Sequence, residues 1–169
     1  MHTISTPSYR TISRHDFAEV RRNSENGQNA LFSLRSFQPG EIIADFSAGT
    51  IASEPTYLTV QVGTGKHITL QPEFLQYINH SCDPNVFFDT TAMKLVALKE
   101  LGPETELVFF YPSTEWRMTK SFECYCGAPC CLGTIQGADY LSPDSLAQYR
   151  FTDYIQQQLA GKADKSKVA

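Results

Sequence analysis

YINHSCDPN, residues 77–85, sets an amide, an imidazole, a hydroxyl and a thiol on four successive positions, Asn79 to Cys82. The stretch shows neither the helical nor the strand period of apolar residues. Its end, Asp83-Pro84-Asn85, is turn chemistry and reads as structure. Polar groups this dense need partners from elsewhere in the chain or from a ligand, because buried polar groups are hydrogen-bonded.

The thiol points outward along the sequence. The five cysteines are Cys82 and then Cys124, Cys126, Cys130 and Cys131, the last four all within FECYCGAPCCLG, residues 122–133. Close spacing of this kind indicates metal binding more than core packing. Cys124, Cys126 and Cys131 supply three thiolates, and a structural zinc takes four ligands in a tetrahedron. Cys130 is adjacent to Cys131, and neighbouring residues rarely reach one ion together. Cys82 is the expected fourth ligand, with His80 as its rival. A metal there fastens the later segment onto the Asn79–Cys82 turn.

Around these landmarks the chain reads as short strands. Its 169 residues suit a single domain, on a prior of roughly 100–200 residues per domain. ALFSL and EIIADF flank a Pro39-Gly40 turn, and TYLTVQV and KHITL flank Gly63-Thr64-Gly65 as a hairpin. NVFFD, KLVALK and ELVFFY are further strands, and FLQYIN reads as one or two helical turns. From Ser142, an N-cap followed by Pro143, the spacing predicts one helix that ends at Gly161. The net charge of −4 argues against a nucleic-acid footprint and suits a basic partner. No apolar run is long enough to cross a bilayer, and the start lacks a leader pattern. The expectation is an intracellular chain, cytoplasmic or nuclear, with reduced thiols.

Three pieces together resemble one family. Asn79 to Asn85 is similar to the signature of the SET-domain protein-lysine methyltransferases. Glu106-Leu107-Val108-Phe109-Phe110-Tyr111 resembles that family's second signature, and Cys124 to Gly133 its post-SET zinc segment. All three occur in the family's order. Gln28 and Ala30 stand where the family has Gly-x-Gly, Gln76-Tyr77 where it has Arg-Phe, and Phe110 where it has Asp.

The resemblance implies a mainly β (α+β) fold, a β-clip of short strands with a C-terminal pseudoknot, a post-SET zinc segment and a C-terminal helix. The expected division is a SET domain over 1–112 and a zinc segment over 113–134, with, from the residues themselves, a helical extension over 135–161 and a disordered tail over 162–169. S-adenosylmethionine enters on one side, with Ala30, Leu31, Phe32, Tyr77, Asn79, His80 and Leu132 as its expected contacts. A protein or peptide lysine enters from the other side through a channel lined by Tyr57, Phe109 and Tyr111. Tyr111 is the expected catalytic residue, and Phe109 leaves room for di- or trimethylation. The metal ligands are Cys82, Cys124, Cys126 and Cys131. The alternative is a catalytically inactive, zinc-stabilised SET-like module that binds a peptide or protein.

Overall fold

A computed structural model describes residues 6–168 of the chain. Residues 1–5 of the expected SET unit and Ala169 of the expected tail lie outside them. The strands, in chain order, begin with β1 (Tyr9–Arg14), β2 (Ala18–Asn23) and β3 (Asn29–Ser33). They continue with β4 (Ile42–Asp45), β5 (Ser47–Ala52), β6 (Thr59–Gly63) and β7 (Lys66–Gln71). Then come β8 (Asn79–His80), β9 (Val86–Asp89), β10 (Lys94–Ala97) and β11 (Val108–Phe109). Last are β12 (Phe122–Glu123) and β13 (Thr134–Ile135), followed by α1 (Pro143–Gln148) and α2 (Asp153–Val168). The fold is mainly β, with short strands and few helices.

Small antiparallel sheets form in the orders β1-β2-β3, β4-β10-β9 and β5-β7-β6. The hairpin expected at Gly63-Thr64-Gly65 joins β6 to β7, and Gly65 takes φ +56°, a left-handed conformation that glycine adopts without strain. The sheets converge on one core that includes Leu31, Ile68, Leu75, Phe88, Leu95 and Leu107. FLQYIN supplies a single 3-10 turn, Glu73–Tyr77, which drives Leu75 into that core.

Beside it the chain crosses itself. β8 and β11 pair in parallel, Val108 against Asn79 and Phe109 against His80. Asn85 holds the crossing from the turn: its Nδ2 donates to the Glu106 carbonyl at 2.8 Å, and its Oδ1 accepts from Val108 N–H at 2.9 Å. Ser81 N–H donates to the Phe109 carbonyl and Asn85 N–H to the Val108 carbonyl, both at 3.0 Å. This is the crossing that the family resemblance implies, and Asn85, read from the sequence only as a turn residue, is its clamp.

The C-terminal region differs from the single helix expected. Ser142 caps α1 by accepting from Ser145 N–H. The helix then stops, and Tyr149 is extended at φ −113°, ψ 154°. Two interactions explain the break. The Tyr149 ring stacks on Phe110 at 3.7 Å, and its hydroxyl donates to the Cys82 carbonyl at 2.7 Å. Thr152 then restarts the chain as a second cap, its Oγ1 accepting from Ile155 N–H. Gly161 does not end α2, and 162–168, expected as a disordered tail, continue the helix with exposed side chains. Lys162 ties this part of the helix to the Asp139 carboxylate at 2.8 Å.

Phe110, Ala138, Phe151 and Ile155 form a second apolar cluster beneath these helices. Phe110 is 2 % exposed there, so a carboxylate at this position would be a buried charge without a partner. Phe110→Ala is expected to cost about 3–5 kcal/mol in urea unfolding, and Phe110→Asp more. Protease cleavage between residues 140 and 152 should accelerate in both, and a variant as stable as the wild type would show that the extension is only loosely attached.

Candidate active site and cysteine cluster

A cavity of about 660 Å³ opens beside the crossing. Tyr57, Phe109 and Tyr111, the residues expected to line a channel, all reach it. Tyr57 stands at the rim, 88 % exposed. Phe109 is buried and edge-on to Phe88 at 4.9 Å, with the Tyr111 ring tilted against it at 4.7 Å. Pro112 turns the chain out of β11 into a 3-10 turn, Tyr111–Ser113, so ELVFFY forms a shorter strand than its pattern suggests. Burial, with Glu115 and Glu106 nearby, pushes the Tyr111 hydroxyl up to about 12. It is a neutral phenol at physiological pH.

The far side of the crossing is polar. Asn79 Nδ2 donates to the Asn29 carbonyl at 2.9 Å and lies 3.4 Å from Glu106 Oε1. β3 thus meets the signature turn one residue before Ala30. Ala30 and Leu31 are buried, Leu31 in the main core. The Phe32 ring packs edge-on to Tyr9 and under the Arg21 guanidinium. Both edges of β3 are occupied: β2 pairs along one, and Leu107 N–H donates to the Leu31 carbonyl on the other. Of the residues expected around the cofactor, Asn79 and His80 lie together at the crossing. Tyr77 packs against the main core, and Leu132 lies between the cysteines and the Phe110 cluster.

His80 joins the two halves of the site. Burial lowers its imidazole to about 4, so the ring is neutral at physiological pH. Its Nδ1 accepts from Tyr111 N–H at 3.1 Å, which leaves the proton on Nε2. Nε2 faces Cys82 Sγ at 3.5 Å.

The sulfurs of Cys82, Cys124, Cys126 and Cys131 lie within 4.8 Å of one another, and those of Cys82 and Cys124 are 3.9 Å apart. Thiolates placed about 2.3 Å from a tetrahedral ion stand roughly 3.8 Å apart, so the donor set fits a metal ion. Leu132 N–H donates to Cys82 Sγ at 3.4 Å, the kind of outer contact that orients a ligand. Cys130 is exposed and points its thiol at the Cys82 carbonyl instead.

Glu115 escaped the sequence reading. It is 7 % exposed and lines the same cavity. Its Oε1 accepts from Gln61 N–H at 3.0 Å and from Thr114 Oγ1 at 3.4 Å. Its only signal is its place four residues after Tyr111, which matters once the turn is known. Burial pushes its carboxyl from 4.5 up to about 8, despite the hydrogen bonds from Gln61 and Thr114. The folded chain therefore keeps a proton there that the unfolded chain releases. This contribution to stability is full below about pH 4.5 and declines as pH rises towards 8. Glu115→Gln should gain stability relative to the wild type from pH 5 to 8 and hold that advantage above, in urea titrations across that range. A pH-independent difference would show a carboxylate that is already ionised in the fold.

A model of the SET domain matches residues 28–112. Methyltransferase flvH of Aspergillus flavus is 32% identical over 158 residues, which make up 92% of this chain and 88% of that protein. The histone-lysine N-methyltransferase, H3 lysine-36 specific, of Schizosaccharomyces pombe is 29% identical over 87 residues, 48% of this chain and 11% of that protein. The crystal structure of the methyltransferase domain of human histone-lysine N-methyltransferase SETMAR aligns at TM-score 0.46 and 18% identity, over 76% of this chain and 57% of that one. Matched by the family model across both the Asn79–Asn85 turn and the Glu106–Tyr111 segment, the chain belongs to the SET domain family of methyltransferases.

Proposed function

We propose that the chain transfers methyl groups from S-adenosylmethionine to the side-chain amine of a protein lysine, with a structural zinc held by Cys82, Cys124, Cys126 and Cys131. The observation that carries this reading is the position of Tyr111. It lines an apolar cavity on one side, and its backbone is bonded to His80 of the polar crossing. The bound cofactor would supply an electrophilic methyl on a cationic sulfonium. Asn79, the Asn29 carbonyl and the Glu106 carboxylate offer the mixed donors and acceptors that an amino-acid end needs.

The chain's own residues do the rest. The cavity walls exclude water from a lysine side chain, and Tyr111 orients its amine. Alignment of the reacting atoms accounts for much of such a rate enhancement. Phe109 presents a ring edge where a Tyr would present a hydroxyl, which leaves space for an amine that already carries a methyl. The cysteine segment over 113–134 closes the site, and a metal held by Cys82, Cys124, Cys126 and Cys131 would pin it to the signature turn. Net charge −4 suits a basic peptide. The alternative of an inactive binding module rests on the altered Gly-x-Gly positions, Gln28 and Ala30, and on Phe110; the stacking of Phe110 under Tyr149 gives the last of these a structural task.

Labelled S-adenosylmethionine, incubated with the protein and with histones or a lysate, should place label on lysine. Tyr111→Phe should lower the rate by roughly 100-fold. Mass spectrometry should find di- or trimethyl product with the wild type and a shift to monomethyl with Phe109→Tyr. Label on another residue type, or monomethyl product alone under excess enzyme, would count against the reading. The purified protein should carry one zinc, and a strong chelator should lower its melting temperature. A metal-free protein indifferent to chelator would leave the cysteines as a thiol cluster only.

A further inference from the structure

We infer that Glu115 is the carboxylate that receives the substrate ammonium in the cavity and takes its proton before methyl transfer, an assignment that rests on the lysine reading above. A lysine amine titrates at about 10.4 in water, so it arrives charged and without a free electron pair. Something must accept its proton. Among the described residues that line the cavity, Glu115 carries the one carboxylate. The walls around it are apolar, with Leu70, Ile78, Phe88 and Phe109 among them.

The placement follows from the turn. Glu115 N–H donates to the Tyr111 carbonyl at 3.1 Å, and residues four apart across such a turn share a face. Tyr111 and Glu115 therefore both reach the cavity. Gln61 fixes the carboxylate from the neighbouring sheet. Its backbone N–H donates to Glu115 Oε1, while its side-chain Oε1 accepts from Trp116 N–H at 3.0 Å. Glu115 Oε2 has no hydrogen-bond partner among the described residues. The two hydrogen bonds to the carboxylate both fall on Oε1, which leaves Oε2 as the oxygen that an incoming ammonium would meet. The other titratable groups at hand are Tyr111 on the same turn, Tyr57 and Lys120 on the cavity wall, and Tyr154, whose hydroxyl lies 3.3 Å from Gln61 Nε2.

The step balances. One N–H bond of the ammonium breaks, its proton goes to the Glu115 carboxylate, and the electron pair stays on nitrogen. That pair forms the N–CH3 bond as the S–CH3 bond breaks, its electrons remaining on sulfur. The product is a methylammonium and a neutral thioether, and the Glu115 carboxyl then returns its proton to water at the cavity mouth.

Glu115→Gln keeps the shape and the acceptor for Gln61 N–H but cannot take a proton. The wild-type kcat/KM should be bell-shaped, rising near pH 8 as Glu115 ionises, and falling near about pH 10 as the free amine loses its charge. In Glu115→Gln the profile should become a single rise towards pH 10, with a deficit of roughly 100-fold at pH 8. Binding is read separately with n-butylamine, the lysine head group alone, by calorimetry at pH 8.5. The wild type and Glu115→Asp should bind it, and Glu115→Gln should bind about tenfold more weakly or worse. Equal affinity and an unchanged profile in Glu115→Gln, or no butylamine binding by the wild type, would overturn the assignment. Glu115-dependent butylamine binding by a protein that methylates no lysine would leave the amine site standing and remove the lysine reading. If Glu115→Gln fails to fold, the carboxyl carbon-13 shift of Glu115 in the wild type reports the same contact: movement on adding butylamine supports it, and no movement overturns it.

Discussion

The Asn85 side chain, bonded through its Nδ2 to the Glu106 carbonyl and through its Oδ1 to Val108 N–H, is the constraint on which the site depends. A two-residue parallel pairing has too few hydrogen bonds to persist alone. With the Asn85 amide added on one flank and β3 on the other, the segment before Tyr111 has little freedom left. That fixes where β11 ends, where Pro112 turns the chain, and so where the Tyr111 ring and the Glu115 carboxylate reach the cavity. The same crossing places His80 between Tyr111 and Cys82.

The landmarks legible in the sequence were those whose chemistry is local. The cysteine spacing, the Asn79–Cys82 run and the alternation of TYLTVQV and KHITL each carry their meaning within a few residues, and the structure gathers them as expected. Asn85 was legible only as a turn residue, because its second task needs a strand that arrives much later. The break at Tyr149 left no local mark at all: an aromatic on a helical stripe looks the same whether it continues the helix or leaves it to stack on Phe110. Glu115, beside Trp116, carries no local mark of its role. Only the turn after Tyr111 and the distant Gln61 backbone make it a buried acid.

The departures from the family pattern separate in the same physical terms. Phe110 has a partner, since the extension after Ser142 supplies the rings that cover it. Ala30 is buried in a strand engaged on both edges, and the contact between that strand and the Asn79 amide runs through a backbone carbonyl, which any residue type provides.

The closing of β3 by Thr105 and Leu107 also bears on how the chain is made. During synthesis the first sheet emerges with its outer edge unpaired, and the residues that cover that edge come only after β10. Cys82 waits longer still, for the cysteines of the later segment and for Tyr149. The nascent chain thus presents an open strand edge until residues 104–107 have emerged, and the Cys82 thiol until the later cysteines follow. Open edges invite pairing with other chains, and long-range closure slows folding. In this topology the first sheet stays open to other chains until the segment after β10 has been made.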